Sequence, residues 1–143
     1  TGMELDLLAD LTERWVLNLT YAYNDARVKD AGPNGITNAS GDRFANAPRN
    51  KLGLWTRYDL PAINSAIGFG ADHVGERLSL DGQTVKAYTV FDVSWKTTWR
   101  QWHFQANVKN LFDKVYAASG FIERNGHFPG EPRRVYVQAA YSF

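Results

Sequence analysis

Residues 2–24 read GMELDLLADLTERWVLNLTYAYN, and apolar and polar side chains alternate along each half of this stretch. Each half puts apolar or aromatic residues on one face, and these are Met3, Leu5, Leu7, Ala9 and Leu11, then Trp15, Leu17, Leu19, Tyr21 and Tyr23. Alternation with a period of two is typical of a β-strand that has one apolar face. Because only residues 12–14 separate the halves, the stretch predicts two antiparallel strands joined by a tight turn.

The same alternation recurs further along the chain, in residues 51–60, 67–72, 89–96, 102–109 and 134–143. A helix would instead need apolar residues at intervals of three and four, and residues 110–118 are a weak candidate for that spacing. The sequence therefore predicts an all-β fold, an antiparallel β-meander of seven strands.

The connections between the predicted strands alternate in length. Residues 12–14, 61–65 and 98–101 are short, whereas residues 29–50, 75–86 and 111–132 are long and rich in Gly, Pro, Asn and Asp. In an antiparallel meander, alternate connections emerge at the same end of the sheet. All short turns should therefore lie at one end and all long loops at the other, which is typical of outer-membrane β-barrels.

The aromatic residues follow the same asymmetry. Six of them fall near the short-turn ends of their strands: Trp15, Tyr58, Trp95, Trp102, Tyr141 and Phe143. Tyr21 and Tyr23 fall near the opposite end. Because amphipathic rings prefer the headgroup level of a bilayer, we predict that the six form a membrane-interface belt. A soluble antiparallel β-domain, with its apolar face turned inward around a small hydrophobic ligand, fits the alternation alone equally well.

Composition excludes several classes of protein. The chain carries 16 basic and 15 acidic residues, a balance that does not fit a nucleic-acid-binding protein. It has no cysteine, so disulfides and thiolate metal sites are excluded. An aromatic content of 14% is too high for a disordered segment. No apolar run approaches the roughly 18 residues of a membrane-spanning helix, whereas barrel strands need only one apolar face.

Residues that could carry chemistry are scattered. The three histidines lie on different segments, without the spacing of a zinc site: His73, His103 and His127. The acidic residues of the first strand share its polar face, where we expect them to line a water-filled lumen: Glu4, Asp6 and Asp10. On the polar face of the fourth strand, Gly68 and Gly70 should leave room for a neighbouring backbone or a plug. No metal, cofactor or enzymatic activity is expected.

Several segments resemble a known family. NVKNLFDKVY, residues 107–116, closely resembles the segment before the last strand of TonB-dependent receptors. PGEPRRVYVQAAYSF, residues 129–143, resembles their final strand. Residues 2–28, 47–60 and 88–96 resemble further segments of the siderophore receptors in this family, in the same order. The resemblance therefore covers essentially the whole chain.

The resemblance implies that residues 1–143 are the C-terminal portion of a longer β-barrel. They would form the last seven strands of a transmembrane barrel of about 22 strands with a plugged lumen. The plug domain and the TonB box would be absent from this sequence. No signal peptide precedes the first strand, and the alternation that runs up to Phe143 suggests a natural C-terminus.

The implied function is uptake of a ferric siderophore across the outer membrane of a Gram-negative bacterium. The implied partners are the ferric siderophore, TonB, the barrel-assembly machinery and outer-membrane lipid. Tyr141 and Phe143 match the alternate aromatics of the assembly signal, although the glycine often found earlier in that signal is missing from residues 137–140. Haem, cobalamin or another metal chelate stays open as an alternative cargo.

The long loops carry side chains suited to a ferric chelate, since arginine pairs with anionic oxygens and aromatic rings pack on apolar parts of a ligand. The candidates for ligand contact are Arg43, Phe44, Arg77, Tyr116, Phe121, Arg124 and His127.

Overall fold

The computed structural model describes residues 1–30, 42–120 and 126–143. In chain order, the strands are β1 (Gly2–Thr12), β2 (Trp15–Asn24), β3 (Asn50–Leu60), β4 (Ser65–Val74), β5 (Arg77–Leu78), β6 (Thr84–Val85), β7 (Tyr88–Trp99), β8 (Trp102–Lys109), β9 (Ala117–Gly120), β10 (His127–Pro129) and β11 (Arg134–Tyr141). In the described part of the chain, no helix is both long and apolar enough to cross a bilayer.

Seven long strands form one antiparallel sheet in the order β1-β2-β3-β4-β7-β8-β11. This is the predicted meander, in which every strand pairs with the next long strand along the chain. Two of the short turns close directly between paired residues, Thr12 with Trp15 and Trp99 with Trp102. The third contains the 3-10 helix Pro61–Ile63 and ends at Asn64, whose φ is 46°. The short turns share one end of the sheet, as predicted.

The register assembles the predicted apolar residues into one continuous face. Leu19 of β2 pairs with Leu7 of β1 and with Leu54 of β3. The next residue, Asn18, pairs with Leu8 and Trp55, so it lies on the opposite face. That opposite face also carries the acidic residues of β1, as expected for a surface that borders water.

The apolar face of the sheet is uncovered. The buried hydrophobic residues of the described chain are few and small, namely Ala45, Ala66 and Val85. Large apolar side chains on the sheet remain open, such as Leu5 at 53% and Val137 at 76% exposure. A soluble β-domain would have to bury such a surface. The sheet does not close around an apolar interior, so the soluble ligand-binding alternative is not the fold observed.

The helix suggested at residues 110–118 was a wrong expectation, because this segment forms a turn that leads into β9. Asn110 and Asp113 both have positive φ, at 49° and 52°, which a helix does not allow. The Asn110 side chain holds the turn closed: its Oδ1 accepts the Lys114 N–H, and its Nδ2 donates to the carbonyls of Lys114 and Glu131. Asp113 accepts the backbone N–H of Arg133. These short polar side chains therefore replace helical hydrogen bonds with bonds across the turn and to the segment before β11.

We predict that Leu19→Arg and Asn18→Arg will have unequal effects in a complete barrel that contains these strands. At Leu19 the charge would face lipid and should cost roughly 2–4 kcal/mol near the middle of the bilayer, whereas at Asn18 it would face the lumen. Urea titrations of the refolded barrel in lipid vesicles, followed by tryptophan fluorescence, would measure both. Equal destabilisation by the two substitutions would contradict the assignment of the faces.

Candidate functional site

Five of the six aromatic residues predicted for the membrane interface lie on the apolar face at the short-turn end of the sheet. The sixth, Phe143, follows the end of β11. Trp15 pairs with Tyr58, and its Nε1 donates to Thr56 Oγ1 at 2.7 Å. The Trp102 and Tyr141 rings meet edge to face with their centroids 5.0 Å apart. Trp99 was not among the six predicted residues, yet it lies on this face at 60% exposure and continues the alternation of β7.

The other end of the apolar face is bordered by polar groups. The Tyr21 hydroxyl donates to Asn50 Oδ1 at 2.8 Å. His73 Nδ1 and Thr89 Oγ1 share a hydrogen bond of 2.9 Å. Because this His73 nitrogen is already hydrogen-bonded on the sheet surface, the structure supports a structural role for it.

The two glycines of β4 accommodate a side chain rather than a backbone. A Cβ at Gly68 would lie 2.7 Å from the Trp55 indole, and one at Gly70 would lie 2.8 Å from it. The indole therefore lies flat on the polar face over both glycines. Within this chain, a side chain and not a neighbouring backbone therefore occupies the space beside these glycines.

The three long connections are called outer loop 1 (residues 25–49), outer loop 2 (75–87) and outer loop 3 (110–133). Outer loop 2 contains the β5–β6 hairpin, and outer loop 3 contains the β9–β10 hairpin. The legs of outer loop 1 are joined by backbone bonds, since the Phe44 N–H donates to Ala26 and the Val28 N–H donates to Asp42, both at 2.9 Å. Each loop thus has its own internal framework.

Asp25 anchors the base of outer loop 1. Its carboxylate accepts from Arg27 Nε at 3.2 Å and from Arg49 Nη2 at 3.0 Å. These hydrogen bonds, that of Arg27 above all, lower the pKa of Asp25 below its ordinary value. The carboxylate is therefore charged throughout the physiological range and ties both legs of the loop together.

Arg77 lies inside the loop assembly and is only 2% exposed. Its Nη2 donates to the carbonyls of Ala117 and Ala118, each at 2.5 Å, and its guanidinium lies 5.6 Å from the centre of the Tyr88 ring. The side chain therefore joins outer loop 2 to outer loop 3. This burial favours a structural role for Arg77 over the ligand contact expected from the sequence.

An open cleft of about 580 Å³ lies where outer loops 2 and 3 meet. Its walls carry two lysines, Lys86 and Lys114, and the imidazole of His127. They also carry the Tyr88 and Tyr116 rings, whose centroids are 4.0 Å apart. The cleft thus combines cationic and aromatic groups, which suits an anionic ligand with apolar parts.

The structure brings two of the seven predicted ligand contacts together, Tyr116 and His127, in this cleft. Arg43 lies elsewhere, with Nη2 at 3.4 Å from the Glu76 carbonyl, and Phe44 is exposed. Phe121 and Arg124 lie outside the described residues. The predicted contacts did not include Lys86, Lys114 and Tyr88, because single lysines and a strand-end tyrosine carry no distinctive spacing.

The described residues contain no group of three or more histidine or acidic side chains that could hold a metal ion. His103 is hydrogen-bonded on both ring nitrogens, to Thr98 at 3.1 Å and to Ser142 at 3.2 Å. The acidic side chains of β1, Glu4, Asp6 and Asp10, are spread along the polar face of the strand.

An antiparallel wall with one apolar face, short turns at one end and long, structured loops at the other defines a segment of a transmembrane β-barrel. The family described as TonB dependent receptor-like, beta-barrel matches residues 1–111. The chain belongs to this family. Its members are outer-membrane proteins of Gram-negative bacteria and not enzymes, and the same holds for this chain.

Several known proteins are similar to the chain. The Ferrioxamine receptor of Yersinia enterocolitica is 28% identical over 99% of the chain and 20% of its own length. The Catecholate siderophore receptor Fiu of Escherichia coli K12 is 27% identical over 99% of the chain and 19% of its own length. The solved siderophore receptor PiuA from Acinetobacter baumannii shares the fold, with a TM-score of 0.77 and 24% identity over 96% of the chain and 21% of its own length. The chain spans about a fifth of these relatives.

We predict that the Asp25 carboxyl titrates below the ordinary aspartate value of about 3.9. Since its pKa is lowered in the folded state, its ion pairs stabilise outer loop 1 above that ordinary value and are lost as the pH falls through the folded pKa. Arg27→Ala should raise the pKa towards the ordinary value. Carbon-13 NMR titration of labelled aspartates in detergent micelles would measure it, with Arg57→Ala, which pairs with Asp59, as control. Titration of Asp25 at or above its ordinary value would contradict the prediction.

Proposed function

We propose that the chain is part of a receptor that takes a ferric siderophore across the outer membrane. The observation that carries the proposal is similarity along 99% of the chain both to a ferrioxamine receptor and to a catecholate siderophore receptor. Because the chain spans about a fifth of each, the transport cycle belongs to the longer protein. Its energy would reach the receptor through TonB.

We further propose that residues 1–143 form the C-terminal portion of that barrel. The chain would supply wall strands, three outer loops and, through Tyr141 and Phe143, a signal for the barrel-assembly machinery. Lipid of the outer membrane would cover the apolar face, which is uncovered in the sheet. The interface aromatics would lie at the level of the headgroups.

The cleft between outer loops 2 and 3 is the proposed ligand contact of this portion. Lys86, Lys114 and His127 would attract the negative oxygens of a ferric chelate, and the tyrosine rings would pack against its apolar parts. Haem could use the same chemistry, so the cargo has to be compared directly. The first-choice ligand is an anionic ferric siderophore, because two lysine side chains line the cleft.

The test is uptake of radiolabelled cargo by cells in which the full receptor is the sole route for the supplied cargo. Ferric catecholate, ferrioxamine and haem labelled with iron-55, and cobalamin labelled with radioactive cobalt, would be offered in parallel, with and without functional TonB. We expect TonB-dependent accumulation of a ferric siderophore. Accumulation of haem or cobalamin alone would favour the alternative cargo and contradict the proposal.

Charge reversal in the cleft should weaken binding of the anionic siderophore. The double substitution Lys86→Glu with Lys114→Glu should lower affinity roughly thirtyfold, since the two exposed charges contribute on the order of 1 kcal/mol each and about 2 kcal/mol together. Fluorescence quenching on binding would measure Kd. Lys96→Glu, on the polar face near the short turns, is the matched control and should leave Kd unchanged. An equal loss in both would show that the effect is not local to the cleft.

A further inference from the structure

Outer loops 1 and 3 meet at a two-point contact between a side chain and a backbone. Asn46 Nδ2 donates to the Gly120 carbonyl at 3.0 Å, and Asn46 Oδ1 accepts the Gly120 N–H at 2.9 Å. The amide group thus pairs with Gly120 as a neighbouring strand would. The two residues are 74 positions apart in the sequence.

Asn46 also contacts outer loop 2 through its backbone. Its N–H donates to the Leu78 carbonyl at 2.7 Å, next to the buried Arg77. This orientation depends on a left-handed backbone, because the φ of Asn46 is 56°. Asparagine adopts that conformation more readily than most residues. Asn46 can therefore bond to Gly120 through its side chain and to Leu78 through its backbone at the same time.

Gly120 of outer loop 3 also packs directly against outer loop 2. A Cβ at this position would lie 2.7 Å from Ser79 Cβ and 2.7 Å from Val85 Cγ2. Ser79 and Val85 are each 1% exposed, so they have little room to yield. Outer loop 3 therefore approaches outer loop 2 closely only with glycine at position 120.

We infer that Asn46 is a positioning residue that locks the three outer loops into one cooperative unit. Asn46 holds Gly120, Gly120 packs on outer loop 2, and Arg77 of outer loop 2 holds the carbonyls of Ala117 and Ala118. Since the cleft is lined by outer loops 2 and 3, this lock fixes the spacing of its two walls. The inference concerns the geometry of the cleft and holds whichever ligand enters it.

The test is hydrogen exchange, measured by mass spectrometry, on the full receptor in lipid nanodiscs. Asn46→Gly keeps the positive φ but removes the amide, so it isolates the side-chain contact. We expect exchange to become about tenfold faster at Gly120 and also in the β5–β6 hairpin of outer loop 2, with the wall strands β2 and β3 unchanged. In Asn46→Asp a carboxylate oxygen would face the Gly120 carbonyl oxygen in place of the donor, so exchange at Gly120 should again be faster than in the wild type.

Two further variants make the result decisive. Gly120→Ala should also speed exchange at Gly120 and in the β5–β6 hairpin, because the added Cβ disturbs the contact from outer loop 3. Its effect should not add to that of Asn46→Gly. Asn64→Gly is the matched control, because Asn64 also has a positive φ but lies in a short turn. Faster exchange at Gly120 with no change in outer loop 2 would show that the loops open independently and overturn the inference. Faster exchange at Gly120 and in the β5–β6 hairpin of Asn64→Gly would also overturn the inference, because the effect would then not depend on position 46.

Discussion

The pairing register of the seven long strands is the constraint on which the rest of the structure depends. A slip of one residue would turn every side chain of a strand to the other face. With the observed register, Leu7, Leu19 and Leu54 align on one surface, and the polar residues beside them align on the other. Backbone groups that face lipid have no water to bond, so strands in a bilayer must satisfy them through this pairing. The same ladder therefore holds the wall together and separates lipid from water.

The outer loops are held by a different kind of interaction. In the described parts of these loops, Ala45 and Val85 are the buried hydrophobic residues, so polar contacts to backbone groups carry most of the order there. Asn46, Arg77 and Asn110 each bond to backbone groups of an outer loop that lie far along the chain or across a turn. Such contacts are directional, and a buried polar group that loses its partner is costly. A ligand surface built in this way keeps its shape without a large core.

The wall could be predicted from the sequence because a period of two is repeated over whole strands. The alternation from Met3 to Leu11 predicts both the strand and its apolar face, and the short turns predict the pairing order. The loops could not be predicted in the same way. Arg77 looked like a ligand contact, since sequence cannot show that the carbonyls of Ala117 and Ala118 close over it. Asn46 carries no pattern at all, because its role depends on one backbone angle and on a glycine 74 residues away. The turn at Asn110 looked weakly helical for a similar reason, since its side-chain bonds reach distant backbone.

The most direct measurement of the central claim is the accessibility of spin labels along β2 in the full receptor in lipid bilayers. This chain contains no cysteine, so single cysteines at residues 17, 18, 19 and 20 would place labels on successive positions of the strand. The account predicts that labels at 17 and 19 relax with dissolved oxygen, which concentrates in lipid. Labels at 18 and 20 should relax with a water-soluble nickel complex. Accessibility without alternation, or with the two sets exchanged, would contradict a lipid-facing wall with this register.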